Sequence, residues 1–306
     1  MTIRAVVFAY HNVGVRCLQV LLAHHVDVAL VVTHHDNPEE TIWFASVAAF
    51  CAQHGIACIA PDSAAAIGLF EQVQKAKPDV LFSFYYRHML PPALLELAPS
   101  GAFNMHGSLL PKYRGRAPVN WAVLHGETVT GATLHVMAAK PDAGDIVAQS
   151  TVSILPDDTA HNVFGKVVGA AQQALEEFLP LMLKRQTPRR VNDLSKGSYF
   201  GGRTAADGLI DWTQPAQVVY NLVRAVAPPY PGAWTLLAGQ RLIVAKARLL
   251  DEAFSNQAVG LKVVNGKILG ICGDGGALNV QALHYAGAPL SAEVLRTMLG
   301  QIQSTP

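Results

Sequence analysis

Two side chains near the middle of the sequence have the spacing needed to meet one reacting atom. Asn104 and His106 are separated by one residue, so on an extended backbone their amide and imidazole point to the same face. A carboxylate follows much later, at Asp142 in the run 141–145. Triads are recognised by geometry rather than by sequence separation, so this distance is no objection. The pattern predicts a site in which the fold brings an acid to an amide and an imidazole.

The elements that must position these side chains alternate between strand and helix, as is typical of a doubly wound α/β domain. Because ligands bind beyond the carboxyl ends of such strands, we expect the loops at 84–90 and 104–116 on one rim. A helix is predicted at Ile42–His54. The predicted strands include Ile3–Ala9, Val26–Thr33, Asp79–Phe84, Ala102–Met105, Ala132–Met137 and Ile146–Ile154.

Three other short runs contain residue types found in binding sites. The first strand-to-helix turn, 10–14, lacks the Gly-x-Gly-x-x-Gly of dinucleotide folds, which disfavours a nicotinamide-dependent dehydrogenase. The run His34-His35-Asp36 contains metal-ligand residue types, but adjacent histidines on a strand point to opposite faces. No metal site is therefore predicted there. Tyr85 and Tyr86 fit a packed core as well as a ligand-lining loop.

The second half of the chain has a different pattern. A glycine-containing connector at Asn192–Gly208 is followed by a predicted helix at Ala216–Val226. Several short apolar runs separated by glycine turns come after it, which predicts a small barrel or sandwich. A last helix is predicted at Ser291–Gln301.

Composition narrows the class of protein. The 306 residues suit two domains or one large one, and the net charge of +1 gives no overall basic face for nucleic acid. No apolar run reaches the roughly 18 to 20 residues of a membrane span, so no membrane insertion is predicted. The sequence begins without a signal-peptide pattern, and its four cysteines are scattered, so we expect a cytoplasmic protein. No feature indicates an oligomeric state.

The run Asn-x-His-Gly-Ser-Leu-Leu-Pro-x-x-Arg-Gly-x-x-Pro from Asn104 to Pro118, followed by Asp-Ala-Gly-Asp at 142–145, resembles the signature of folate-dependent formyltransferases. The segments 84–88 and 111–121 are similar to members of that family that act on UDP-4-amino-4-deoxy-L-arabinose. The resemblance implies an α/β, Rossmann-like formyltransferase domain at 1–203 and an OB-like β-barrel domain at 204–306.

The resemblance also implies roles for particular residues. Asn104, His106 and Asp142 are expected to be catalytic, with Asp142 raising the pKa of His106 and holding its ring. The formyl donor is expected to be 10-formyltetrahydrofolate, and no metal is needed. Three residues near or beyond the connector are weaker candidates for the nucleotide: Asn192, Arg203 and Tyr230. The expected folate contacts are Arg87, His88, Met89, Leu90, Arg116, Ala138, Ala139, Lys140, Pro141 and Asp142.

The leading hypothesis is formylation of the 4-amino group of UDP-4-amino-4-deoxy-L-arabinose, which implies a role in lipid A modification and polymyxin resistance. Alternatives within the family are a methionyl-tRNA formyltransferase and a formyltransferase for another nucleotide-linked amino sugar. Alternatives of a different class are a formyltetrahydrofolate hydrolase and a non-catalytic folate-binding protein. The expected partners of the leading hypothesis are a UDP-amino sugar and folate, without nucleic acid.

Overall fold

The computed structural model describes residues 3–254 and 256–303, which form two compact units. The first unit runs to Pro118 and adds Val129–Ser153 and Phe164–Gly201. The second combines Val119–Thr128, Ile154–Val163 and the described residues from Gly202 onwards. Division of the chain into domains at 1–203 and 204–306 stays a prediction.

The elements up to the connector follow the predicted alternation. They are β1 (Arg4–Ala9), α1 (His11–Ala23), β2 (Asp27–Val32), α2 (Val47–His54), β3 (Cys58–Ile59), α3 (Leu69–Ala76), β4 (Val80–Phe84), α4 (Pro92–Leu95), β5 (Ala102–His106), β6 (Arg114–Gly115), α5 (Pro118–Leu124), β7 (Val129–Val136), β8 (Ile146–Ser153), α6 (Ala160–Leu183) and β9 (Tyr199–Phe200).

A seven-stranded sheet in the order β3-β2-β1-β4-β5-β7-β8 organises the first unit. Strands β1 to β5 pair in parallel, and β7 and β8 add an antiparallel edge. The central strands are apolar and buried on both faces, with Phe82 and Phe103 fully inside. The predicted α/β domain with a Rossmann-like parallel sheet is confirmed.

Helix α2 begins later than predicted. The expected start at Ile42 is wrong, because Ser46 is the N-cap residue and its hydroxyl accepts a hydrogen bond from the backbone N–H of Ala49 at 3.2 Å. The helix ends at Gly55, whose φ of 65° is left-handed. The residues from 34 to 46 are consequently irregular.

The second unit contains an antiparallel sheet of six strands. Its order is β10-β11-β14-β13-β12, and β15 pairs with β14. The prediction of several short strands in this part is confirmed, and the structure shows that they pair antiparallel. None of the helices in the described part of the chain is long and apolar enough to cross a bilayer. The elements are α7 (Ala216–Val226), β10 (Ala233–Leu237), β11 (Gln240–Leu250), β12 (Gly260–Val264), β13 (Lys267–Ile271), β14 (Ala277–Tyr285), β15 (Ala288–Pro289) and α8 (Ala292–Gln303).

Candidate active site

A cavity of about 560 Å³ lies in the first unit, at the carboxyl ends of β1, β4 and β5. Strand β1 pairs with both β2 and β4. Strands β2 and β3 are added on one side of β1 and strands β4 and β5 on the other, so the strand order reverses at this position. Such a switch point is where open α/β sheets bind ligands. The loops after β4 and β5 both line this cavity, as predicted.

The three predicted catalytic residues converge on the cavity wall. Asn104 and His106 lie on β5, and Asp142 lies in the loop between β7 and β8. Nδ1 of His106 is 3.4 Å from Oδ1 of Asp142, while its Nε2–H donates to the Tyr113 carbonyl at 2.7 Å. The backbone N–H of Gly115 donates to the other carboxylate oxygen at 2.9 Å. Each oxygen of the Asp142 carboxylate therefore has a partner that fixes its position.

A second histidine, not predicted from the sequence, completes this cluster. His135 faces Asn104 across the β5–β7 pairing, and its Nε2 lies 3.1 Å from the amide nitrogen. The same Nε2 is 3.4 Å from Oδ1 of Asp142. Its Nδ1–H donates to the Val136 carbonyl at 2.9 Å, which orients the ring so that Nε2 faces both the Asn104 amide and the Asp142 carboxylate. Nothing in its local sequence indicates this role, because strand register alone places it there.

Burial governs the electrostatics of the cluster. It lowers the pKa of His106 below the ordinary histidine value, although Asp142 and the Tyr113 carbonyl act in the opposite direction. Asp142 thus acts on the His106 pKa in the predicted direction, but burial outweighs it and the net shift is downward. Burial acts to raise the pKa of Asp142, but the charges and hydrogen bonds of His106, His135 and Gly115 outweigh it and bring that pKa to about 2. Near neutral pH the cluster holds an uncharged His106 beside an ionised Asp142.

Most of the predicted folate contacts line the same cavity. They come from the loop after β4, from Arg116 and from the loop that carries Asp142. Two of the predicted contacts, Ala139 and Lys140, are absent from the lining, which instead includes the exposed ring of Tyr199. The predicted contacts that line the cavity are Arg87, His88, Met89, Leu90, Arg116, Ala138, Pro141 and Asp142.

The two tyrosines after β4 both line the cavity and differ in burial and packing. Tyr86 is mostly buried, packs edge-on against Phe8 in the core and stacks on His34 with 4.1 Å between ring centres. Tyr85 is a half-buried residue of the cavity wall, with a left-handed φ of 60°. An ideal Cβ on Gly107 lies 2.0 Å from the Tyr85 hydroxyl oxygen, so only glycine fits beside it.

The three nucleotide candidates have other protein contacts. The Asn192 amide nitrogen donates to the carbonyls of Asp142 and Gly144, at 2.9 and 3.2 Å, and thereby supports the acidic loop. In the second unit, Arg203 lies over the Trp121 ring, with 4.6 Å between the guanidinium carbon and the ring centre. Burial raises the pKa of Tyr230 to about 12.

This arrangement provides an amide donor, a neutral imidazole and an ionised carboxylate in one partly water-excluding cavity. It can stabilise the oxyanion that forms on a carbonyl carbon, and it can move a proton from the attacking nitrogen to the leaving nitrogen. Acyl transfer to an amine requires both. Among the residues that the structure describes, no group of three or more His, Cys, Asp or Glu side chains is placed to hold a metal ion.

Solved structures similar to this chain include several formyltransferases. An N-formyltransferase from Helicobacter canadensis, in complex with folinic acid and dTDP-3-aminofucose, is 19% identical with a TM-score of 0.74, over 92% of this chain and 99% of that one. WlaRD, a sugar 3N-formyltransferase studied with dTDP and 5-N-formyl-THF, is 18% identical with a TM-score of 0.73, over 92% and 98%. A sugar N-formyltransferase from Shewanella sp. FDAARGOS_354 is 18% identical with a TM-score of 0.64, over 79% and 96%.

These likenesses show the shared fold. Two family models match the sequence directly. Residues 10–179 match the formyl transferase model, and residues 203–296 match the model of the formyl transferase C-terminal domain. The first match covers more than half of the 306 residues. The chain therefore belongs to the formyl transferase family.

Proposed function

We propose that this formyltransferase transfers the formyl group of 10-formyltetrahydrofolate to the 4-amino group of UDP-4-amino-4-deoxy-L-arabinose. The observation that carries the proposal is the convergence of Asn104, His106 and Asp142 in one cavity. The choice of amino sugar rests on the amino-acid sequence of segments 84–88 and 111–121. Neighbours bound to folinic acid with dTDP-3-aminofucose, or to 5-N-formyl-THF with dTDP, support a folate donor and a nucleotide-linked acceptor.

The cavity suits the proposed donor. Its volume of about 560 Å³ is that of a small-molecule site, and apolar side chains of Met89, Leu90 and Met137 line it. Among the lining residues, the backbone of Ala138 offers a planar heterocycle both a donor and an acceptor, and that of Pro141 offers an acceptor. The residues proposed to hold the folate are those of the predicted set that line the cavity: Arg87, His88, Met89, Leu90, Arg116, Ala138, Pro141 and Asp142.

The chemistry follows from the protonation states. The amine attacks the formyl carbon, and the Asn104 amide donates to the oxygen that develops negative charge. His106 is neutral at the start because burial lowers its pKa, so it accepts the proton that the amine loses. It then returns that proton to N10 of the folate as the carbon–N10 bond breaks, giving the formamide and tetrahydrofolate. Asp142 stabilises the imidazolium between these two steps.

The remaining parts of the hypothesis belong to the same proposal. Arg203 and Tyr230 contact the nucleotide, since a guanidinium fork suits a diphosphate. Asn192 is the third candidate for the nucleotide, and its amide nitrogen also donates to the carbonyls of Asp142 and Gly144. The second unit is an OB-like barrel. The enzyme works in the cytoplasm, in lipid A modification and polymyxin resistance.

A substrate panel tests the proposal. The purified protein is given 10-formyltetrahydrofolate with UDP-4-amino-4-deoxy-L-arabinose, with dTDP-linked amino sugars or with initiator methionyl-tRNA, and tetrahydrofolate is measured. We expect turnover with the UDP sugar and a loss of about 10²- to 10³-fold in Asn104→Ala. Preference for the tRNA, formate release without any amine, or folate binding without turnover would each replace the proposal by the corresponding alternative.

A further inference from the structure

The irregular segment 34–44, which we call the strap, carries the His-His-Asp run and lies against the cavity wall. Nε2 of His34 accepts a hydrogen bond from the backbone N–H of Arg87 at 2.9 Å. Asp36 accepts one from the hydroxyl of Tyr10 at 2.8 Å. Both Arg87 and Tyr10 line the cavity. The His34-His35-Asp36 run thus holds two residues of the cavity wall in place.

The guanidinium of Arg87 is held by the strap from another side as well. Its two terminal nitrogens donate to the two carboxylate oxygens of Glu40, at 2.8 Å each. Its carbon lies 4.9 Å from the centre of the Tyr10 ring. The guanidinium therefore has two contacts, the Glu40 carboxylate and the face of the Tyr10 ring, while the backbone of Arg87 is held separately by His34. The ring contact and the backbone hydrogen bond persist when the carboxylate leaves.

The pair with Glu40 is exposed enough to be exchanged. The two side chains are 40% and 38% exposed. Ion pairs of this exposure add little stability, because water and salt screen them. Hydrogen bonding from Arg87 lowers the pKa of Glu40, so this carboxylate is ionised near neutral pH and occupies the fork.

We propose that Arg87 is an anion subsite of the cavity, occupied by Glu40 until an anionic group of a substrate takes its place. A planar guanidinium that binds one carboxylate through two parallel hydrogen bonds binds another carboxylate, or a phosphate, with the same geometry. Under the proposed function, on which this inference rests, that group is a glutamate carboxylate of the folate or the diphosphate of the nucleotide sugar.

Other titratable side chains lie near the Arg87 guanidinium. His34 and His88 are neighbours of each other, with 4.8 Å between ring centres, and neither is an acid. Asp36 is already bound to the Tyr10 hydroxyl. Glu40 is the acid that an incoming anion replaces. Competition between the Glu40 carboxylate and the ligand for Arg87 therefore sets the affinity of this subsite.

Calorimetric titration of Glu40→Gln tests the inference, with Glu39→Gln as the matched control. Glu39 is an exposed acid next in sequence, so its substitution removes the same charge without touching the fork. The ligands are 5-formyltetrahydrofolate with one or three glutamates, UDP and uridine. We expect Glu40→Gln to lower the Kd of the anionic ligand about fivefold, which is the strength of an exposed ion pair. Glu39→Gln should leave the Kd unchanged.

The ligand that responds identifies the anion. Tighter binding of the folates indicates the glutamate carboxylate, and tighter binding of UDP but not uridine indicates the diphosphate. In Arg87→Gln the affinity should fall, and adding Glu40→Gln should then change nothing. Unchanged or weaker binding in Glu40→Gln overturns this inference and leaves the proposed function standing, since Glu40 then only holds Arg87 in position. If the wild-type protein binds neither folate nor UDP, the proposed function falls with it.

Discussion

Asn104 and His135 face each other across the antiparallel β5–β7 pairing, and the amide nitrogen of one lies 3.1 Å from Nε2 of the other. The imidazole fixes the direction in which the amide presents its remaining N–H. His135 also touches the carboxylate that supports His106. It is therefore a positioning residue for two members of the catalytic cluster.

Replacing His135 by leucine should slow the reaction without unfolding the protein. The amide and the carboxylate each lose one fixed partner, and a misplacement of about 1 Å costs on the order of 10²-fold in rate. We expect the fall in kcat to exceed any change in KM, because His135 lines the cavity but acts by positioning the catalytic amide and carboxylate. His135→Gln, which keeps a polar group on the same strand, should recover part of the loss in steady-state assays. Equal losses in both variants would contradict a positioning role.

The titration of His106 should respond to Asp142 with a defined sign. Burial lowers the His106 pKa, and Asp142 opposes that effect. Removing the charge in Asp142→Asn therefore moves the pKa further down. NMR titration of the His106 ring proton measures it: the midpoint should lie below about 6.5 in the wild type and lower still in the variant. A midpoint that rises in Asp142→Asn would show that the carboxylate does not stabilise the imidazolium.

The same pKa predicts the pH dependence of catalysis. A protonated His106 cannot accept the proton of the attacking amine, so kcat/KM should fall as the pH drops through the lowered pKa. The acidic limb of the profile should thus lie below the ordinary histidine value of about 6.5. Rates that rise on acidification through this range would assign His106 the opposite role, as an acid from the start.

Gly107 and Tyr85 should show strong coupling. An ideal Cβ at 107 falls 2.0 Å from the tyrosine hydroxyl oxygen but 3.1 Å from the ring carbon that bears it. Gly107→Ala must therefore displace Tyr85 or the backbone next to His106, and we expect kcat/KM to drop about 10²-fold.

Tyr85→Phe removes the clashing oxygen and provides the partner for a double-mutant cycle. We expect Tyr85→Phe to have a small effect alone and to restore most of the activity lost in Gly107→Ala. Additive losses in the double variant would mean that the alanine acts elsewhere.

Helix α6 offers a matched test of packing. Leu179 is 0% exposed, whereas Leu181, two residues on, is 38% exposed. Leu179→Ala removes buried methyl groups and should cost about 2 to 5 kcal/mol of unfolding free energy. Leu181→Ala should cost about 0.5 kcal/mol or less. Urea unfolding followed by circular dichroism compares the two midpoints, and similar midpoints would contradict the burial of this face.

The sequence by itself determined the local features. The apolar runs that became β1 and β4, the spacing of Asn104 and His106, and helices such as Ala216–Val226 depend on neighbouring residues and periodicity. The formyltransferase signature at 104–118 likewise predicted the family that the sequence models support. These features require no knowledge of which strand lies beside which.

Only the tertiary structure decided what depends on long-range pairing and burial. The register of β5 and β7 placed His135 opposite Asn104, and no local pattern encodes that register. Burial, a property of the packed unit, outweighed the carboxylate and lowered the pKa of His106. The strap brought Glu40 to Arg87 across 47 residues of sequence. Each of these outcomes depends on neighbours that are distant in sequence, and burial changes the free energy of a charge by more than a local sequence preference does.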